Sequence, residues 1–186
     1  MNEKHHASLT QYLNDMLALE RDIANAARGQ LEDDRITAVP GLAGILGEVA
    51  GGSESRIERL KAMSSEEGGA VGAAIKETVT AVTGTLAGLY GKMREHPVSR
   101  MVRDDVVAIN LSCTSYSMLH TLGLSIGHNA CAALGEEGLR ATAKLVMDLT
   151  KMVPLVVAGD LAEDAPLANP NAAQLATDTV HEAWRG

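Results

Sequence analysis

The stretch from Val98 to Leu134, VSRMVRDDVVAINLSCTSYSMLHTLGLSIGHNACAAL, constrains this chain most. It holds both cysteines, two of the six histidines and one of the three tyrosines. Apolar or weakly polar residues recur on a helical spacing at Val102, Val106, Ile109, Cys113, Tyr116, His120 and Leu124, flanked by a second stripe through Ala108, Leu111, Ser115, Met118 and Leu122. A helix apolar over two adjacent stripes packs against several others, so the expectation is a helical assembly built around this segment. Read as one helix over 98–134, it places Cys113 and Cys131 about 27 Å apart, beyond the reach of a disulfide. Both are expected as reduced, buried thiols.

Composition supports helices. With 46% apolar residues but only three Tyr, one Trp and no Phe among 186, the core has to be filled by Leu, Val, Ala, Ile and eight Met, a mixture that favours helix over strand. That length implies one domain over residues 1–165, followed by a tail over 166–186 with a short helix. A formal charge of -8 argues against nucleic acid, because such binding depends on releasing counterions to Lys and Arg. The opening MNEKHHASLTQYL has no long apolar run. The apolar span from Gly68 to Tyr90 raises the membrane question, but Lys76 and Glu77 sit in its middle, and the expectation is a cytoplasmic protein without a membrane partner.

Taken in order, the first helix is expected to begin at Ser8, with Gln11 completing a capping box, and to stop at Gly29. Its stripe is Leu9, Leu13, Met16, Glu20, Ile23 and Ala27. Glu20 therefore points inward, where a carboxylate needs a cation, a proton or a donor. Pro40 is expected to open the second helix, whose stripe runs Leu42, Leu46, Val49, Ser53, Arg56 or Ile57, Leu60 and Met63, interrupted by Gly51-Gly52 and closed at SSEEGG. A small-residue helix is expected from Gly69 to Glu95, with Gly84, Gly88 and Gly91 on one side, ended by His96-Pro97. The connector GEEG, 135–138, is read as a turn into a last helix from Leu139 to Glu163. Its stripe is Ala141, Leu145, Asp148, Met152, Leu155 and Gly159, with a kink at Pro154. Val180 and Trp184 are expected to anchor the terminal helix.

Over roughly Leu9 to Glu163 the chain resembles the YciE/YciF-type bacterial stress proteins, a branch of the ferritin-like superfamily. The residues that carry the likeness are the opening YLNDMLALERDI with Glu20, RIERLKAM closing the second helix, the inserted small helix before Arg103-Asp104, and two long helices joined by a short link. The resemblance implies an antiparallel four-helix bundle with an extra inserted helix. It also implies where metal ligands would stand. A Glu-His-Tyr-Glu run of the family falls on Ser115, Tyr116, Ser117 and Met118, a glutamate falls near Gly52 and a glutamine near Arg56. Glu20 carries over, and Asp148 stands for the last helix's glutamate. Two carboxylates are too few for a di-iron centre, which takes about four carboxylates and two imidazoles. No cofactor and no catalytic residue is therefore expected. Arg56 is the nearest cation to bridge Glu20 and Asp148, making these three the expected charges of the core.

Other readings use residues that are present. Cys113 and His120 lie on one face, and His128 and Cys131 follow at a three-residue spacing, so iron or another transition metal could be held by ligands reassigned to Glu20, Asp148, His120 and Cys113. Against this, a hydrogen-bonded core histidine and two small buried thiols account for the same residues. Cys113 or Ser117 activated by His120 would make a nucleophile, but no carboxylate or glycine-rich turn lies beside it in sequence. His5-His6, Glu66-Glu67 and Glu136-Glu137 are read as solvated. The expected function is that of a stress-associated interaction protein, homodimeric through an apolar helix face. The alternatives are a metalloprotein with reassigned ligands and a binder of a small apolar ligand in a Met- and Ala-lined interior.

Overall fold

The computed structural model describes residues 2–67 and 96–185, and these are all-helical, with no strand among them. Helix α1 spans Glu3–Leu31, α2 Asp34–Thr37, α3 Leu42–Glu66, α4 Val98–Ile126, α5 Asn129–Asp164 and α6 Ala172–Arg185. No helix among the described residues is long and apolar enough to cross a membrane. The helix expected over 69–95, with its three glycines, and the apolar span from Gly68 to Tyr90 lie outside the described residues.

Two helices bury the stripes read from the sequence. On α1, Leu9, Leu13, Met16, Glu20, Ile23 and Ala27 are all buried, and on α3 so are Leu42, Leu46, Val49, Ser53, Arg56, Ile57, Leu60 and Met63. Their starts differ from expectation. Asn2, not Ser8, caps α1 by accepting from the His5 amide at 2.8 Å, while the Ser8 hydroxyl donates back to the Lys4 carbonyl. The chain continues helical past Gly29 to Leu31, turns through α2 under an Asp33 cap, and enters α3 at Gly41, not Pro40. Gly41 sits at φ +85°, a left-handed conformation that a side chain would strain.

The larger correction concerns the central segment. Residues 98–134 are not one helix. Gly127, at φ +71°, ends α4, and His128 caps α5 by accepting from the Cys131 amide at 3.1 Å. The GEEG connector is no connector: 135–138 lies inside α5. Its glycines serve close packing, as does Gly123. A Cβ on Gly123 would collide with the Ala132 backbone, one on Gly135 with the His120 backbone, and one on Gly138 with the Tyr116 ring. The pairs 123/132, 120/135 and 116/138 run in opposite directions, so α4 and α5 form a tightly pressed antiparallel hairpin.

Cross-links fix the remaining neighbours. His6 and Glu67, Glu20 and Arg56, and Arg28 and Glu54 join α1 to α3 antiparallel. Glu20 with Ser112 and Gln30 with Asp105 join α1 to α4 antiparallel. Arg59 with Glu137 and Glu48 with Lys144 join α3 to α5 antiparallel. Helix α1 thus packs on α3 and α4, and α5 packs on the same two. Helices α3 and α4 consequently point the same way, joined by the one long connection over 67–97. In the tail, α6 rests on α5 through half-buried Ala173, Thr177, Val180 and His181, with Trp184 exposed.

Candidate functional site

Four of the buried polar residues, Glu20, Ser53, Arg56 and Ser112, converge where α1, α3 and α4 meet. Glu20, on the buried line of α1 between Met16 and Ile23, is 0% exposed. Its Oε2 accepts from Arg56 Nη2 at 3.0 Å and its Oε1 from the Ser112 hydroxyl at 2.6 Å. The same Arg56 nitrogen donates to Ser53 Oγ at 3.0 Å, one helical turn earlier on α3. Charge-assisted bonds of this kind are what a carboxylate needs away from water. Local sequence makes the fit possible. Gly52, four residues before Arg56, leaves the space that the guanidinium fills, since a Cβ there would stand 3.0 Å from Nη1.

Tyr116 closes the cluster from α4, its ring against Gly138 of α5. Its hydroxyl is buried beside the ion pair without a hydrogen bond of good geometry. Burial, reinforced by the Glu20 carboxylate, pushes its ionisation well above the ordinary phenol range, so it stays protonated. All four long helices therefore contribute to one buried, internally neutralised centre. Such a centre holds helices in register. It offers substrate no open face, because both Glu20 oxygens are occupied and Arg56 is enclosed.

The other residues singled out from the sequence are scattered. Asp148 does not join the pair: its side chain is 27% exposed and binds Lys144 at 2.8 Å, with Lys151 at 3.6 Å. The buried line of α5 runs through Gly138, Thr142, Leu145, Val146 and Leu149, one step round the helix from the stripe expected, and that step turns Asp148 outward. The Lys144 ammonium holds the Asp148 carboxyl below its usual value. His120 Nδ1 lies 2.7 Å from the Ala132 carbonyl, which only accepts, so that nitrogen carries the proton. Cys113 is half-buried and Cys131 buried, both free, on facing helices of the hairpin and not on one rod. Burial pushes the Cys131 thiol up to about 11. His128 accepts at Nδ1 from the Cys131 amide and donates from Nε2 to Glu67 Oε1 at 2.8 Å, tying the end of α3 to the hairpin turn. His6 donates from Nε2 to the Glu67 carbonyl at 2.8 Å, so neither it nor Glu67 is merely solvated. Among the described residues, no three His, Cys, Asp or Glu side chains come together in an arrangement that could hold a metal ion.

Several buried polar residues escaped the sequence reading. Gln30 donates to Asp105 Oδ1 at 2.9 Å in the core, and Ser112 supplies the second bond to Glu20. Both Asp105 and Ser112 stand on the true inner line of α4, with Val102, Ile109, Tyr116, Leu119 and Gly123. Their regular spacing was the available signal, masked because their polarity suggested an outward face.

Comparison with family models, with curated proteins and with solved structures finds no match to this chain.

Proposed function

We propose that this chain is a ferritin-like four-helix bundle in which an ion pair stands where a metal pair would, and that it works as a non-catalytic, stress-associated interaction protein, a cytoplasmic homodimer. The bundle reading is supported by the four antiparallel contacts around the ring α1, α3, α5, α4 and by a single long crossover from α3 to α4, the connectivity of ferritin-type bundles. The stress association comes from the sequence resemblance alone.

One observation carries the loss of metal chemistry: the carboxylate that would be a ligand, Glu20, has both oxygens committed to Arg56 and Ser112. Arg56 is itself held there, bonded to Ser53 as well and packed into the space that Gly52 leaves. The test is aerobic oxidation of Fe(II) by untagged protein, read beside its metal content after dialysis. Oxidation at the buffer rate and well under one equivalent of bound transition metal are expected. A saturable oxidation rate, or a stoichiometric metal lost on Glu20→Gln, would overturn the reading.

A further inference from the structure

Helix α4 carries a face that nothing among the described residues covers. Val107, Leu111 and Met118 are 48%, 37% and 48% exposed, and Thr114, Thr121 and Ser125 are exposed with them. These six positions are spaced four, three, four, three and four apart, the seam of a helix that packs against another helix. Between Val106 and Ile126 the helix contains no Asp, Glu, Lys or Arg, in a chain that is 22% charged. Its hydroxyls are also already satisfied. Thr114 donates to the Asn110 carbonyl at 3.0 Å, Thr121 to Ser117 at 2.9 Å and Ser125 to Thr121 at 2.7 Å. Such back-bonded side chains turn their carbon atoms outward, and the face can be dried without orphaning a donor.

From this pattern we infer that a second copy of the chain docks on α4, antiparallel, about a two-fold axis level with residue 116. That symmetry sets Val107 against Ser125, Leu111 against Thr121 and Met118 against Thr114, so every large side chain meets a small one. An isologous contact must be complementary to itself, and this stripe is. The axis also brings the partner's Val107 and the partner's Leu111 to a groove of about 360 Å³ lined by Tyr12, Ser117, Met118, Thr121, Leu122 and Ser125. Charge favours the same choice. Two molecules of formal charge -8 repel, and an uncharged contact adds no further repulsion. The rival apolar surface, Leu155, Leu161, Leu175 and Trp184 on α5 and α6, is interleaved with Asp160, Glu163, Asp178 and Glu182, which a two-fold contact would bring together. A seam of about 27 Å buries an area at the low end for specific interfaces, so the dimer should dissociate in the micromolar range.

The inference rests on the homodimer part of the proposed function, and sedimentation equilibrium across the micromolar range separates the two. Wild type is expected as a reversible monomer and dimer. Leu111→Lys should weaken association at least tenfold, and Thr121→Glu alone should weaken it too. The double variant should recover most of the loss, because the introduced ammonium of each copy then faces the introduced carboxylate of the other. Leu175→Lys on α6 should change nothing. Circular dichroism confirms that each variant is folded. A dimer indifferent to Leu111→Lys, or a double variant no better than the singles, overturns this face or this register and leaves the homodimer standing. A wild type that stays monomeric overturns both.

Discussion

Arg56 and Glu20 face each other across 3.0 Å on antiparallel helices, and each is buried from water, the arginine at 7% and the carboxylate at 0% exposure. A buried pair of this kind contributes little net stability relative to well-packed apolar residues, because both charges lost their hydration on folding. Removing one partner is different, since the other is then stranded. Arg56→Ala should therefore cost about 3–5 kcal/mol in urea unfolding. The combined Glu20→Leu and Arg56→Met exchange should be more stable than either single variant. A single Arg56→Ala variant that unfolds with the wild type would show that Glu20 is not held by this pair.

The glycines divide by what surrounds them, and alanine scanning should read that division. At Gly138 a Cβ meets the Tyr116 ring, and at Gly123 it meets the Ala132 backbone. Alanine there forces the hairpin apart and should cost more than about 2 kcal/mol. At Gly51, inside α3, an added Cβ meets nothing within 4 Å, so Gly51→Ala should stabilise by about 0.5–1 kcal/mol through helix propensity. Unfolding midpoints of the three variants check the sign at each position.

That division also explains what could be read from the sequence. On α1 and α3 the inner stripe is almost wholly apolar, so period alone found it, and Glu20 and Arg56 stood out as charges on that line. On α4 and α5 the inner line carries Asp105, Ser112, Gly135, Gly138 and Thr142, and hydropathy therefore selected the neighbouring line. The displacement sent Asp148 inward on paper and outward in the molecule. The turn at Gly127 was hidden for a related reason: Leu119, Leu122, Ile126, Ala130 and Leu134 keep a helical spacing straight through it. A glycine that ends a helix and a glycine that admits a neighbouring helix are the same letter, and only the partner helix tells them apart.

Asp148 pairs near the surface, whereas Glu20 pairs in the core. Its carboxyl is held below its usual value, first by the Lys144 hydrogen bond, so its pairing supports the fold above pH 3.8, the ordinary aspartate value. The support is lost as pH falls through the depressed folded value. The pair is largely solvated and screened, and Asp148→Asn should change stability at neutral pH by less than about 0.5 kcal/mol. Added salt should shrink even that. A larger, salt-insensitive loss would place Asp148 in the core after all.

Cys131 titrates in the other direction. In the unfolded chain its thiol ionises near 9, whereas burial and then the Glu67 charge raise it to about 11 in the fold. The native state therefore holds the proton longer, and stability should fall as pH rises from 9 through 11, by roughly 1–2 kcal/mol. Cys131→Ala should flatten that slope. Iodoacetamide at neutral pH should label half-buried Cys113 well before Cys131, which mass spectrometry of the peptides resolves.

His128 holds two structures together with one ring. Its Nδ1 receives the Cys131 amide at the start of α5, and its Nε2 donates to Glu67 at the end of α3. Loss of a helix cap costs about 1 kcal/mol, and loss of the partly buried bond to a carboxylate adds to that, so His128→Ala should destabilise by about 2 kcal/mol. Asparagine is among the best residues at this helix position but is too short to reach Glu67 as well. His128→Asn should accordingly recover the cap and leave a deficit of about 1 kcal/mol. In a Glu67→Gln background, which keeps an acceptor but removes its charge, the gap between the alanine and asparagine variants should persist, because it measures the cap alone. Equality of the two variants in urea unfolding would mean that the ring acts through Glu67 only.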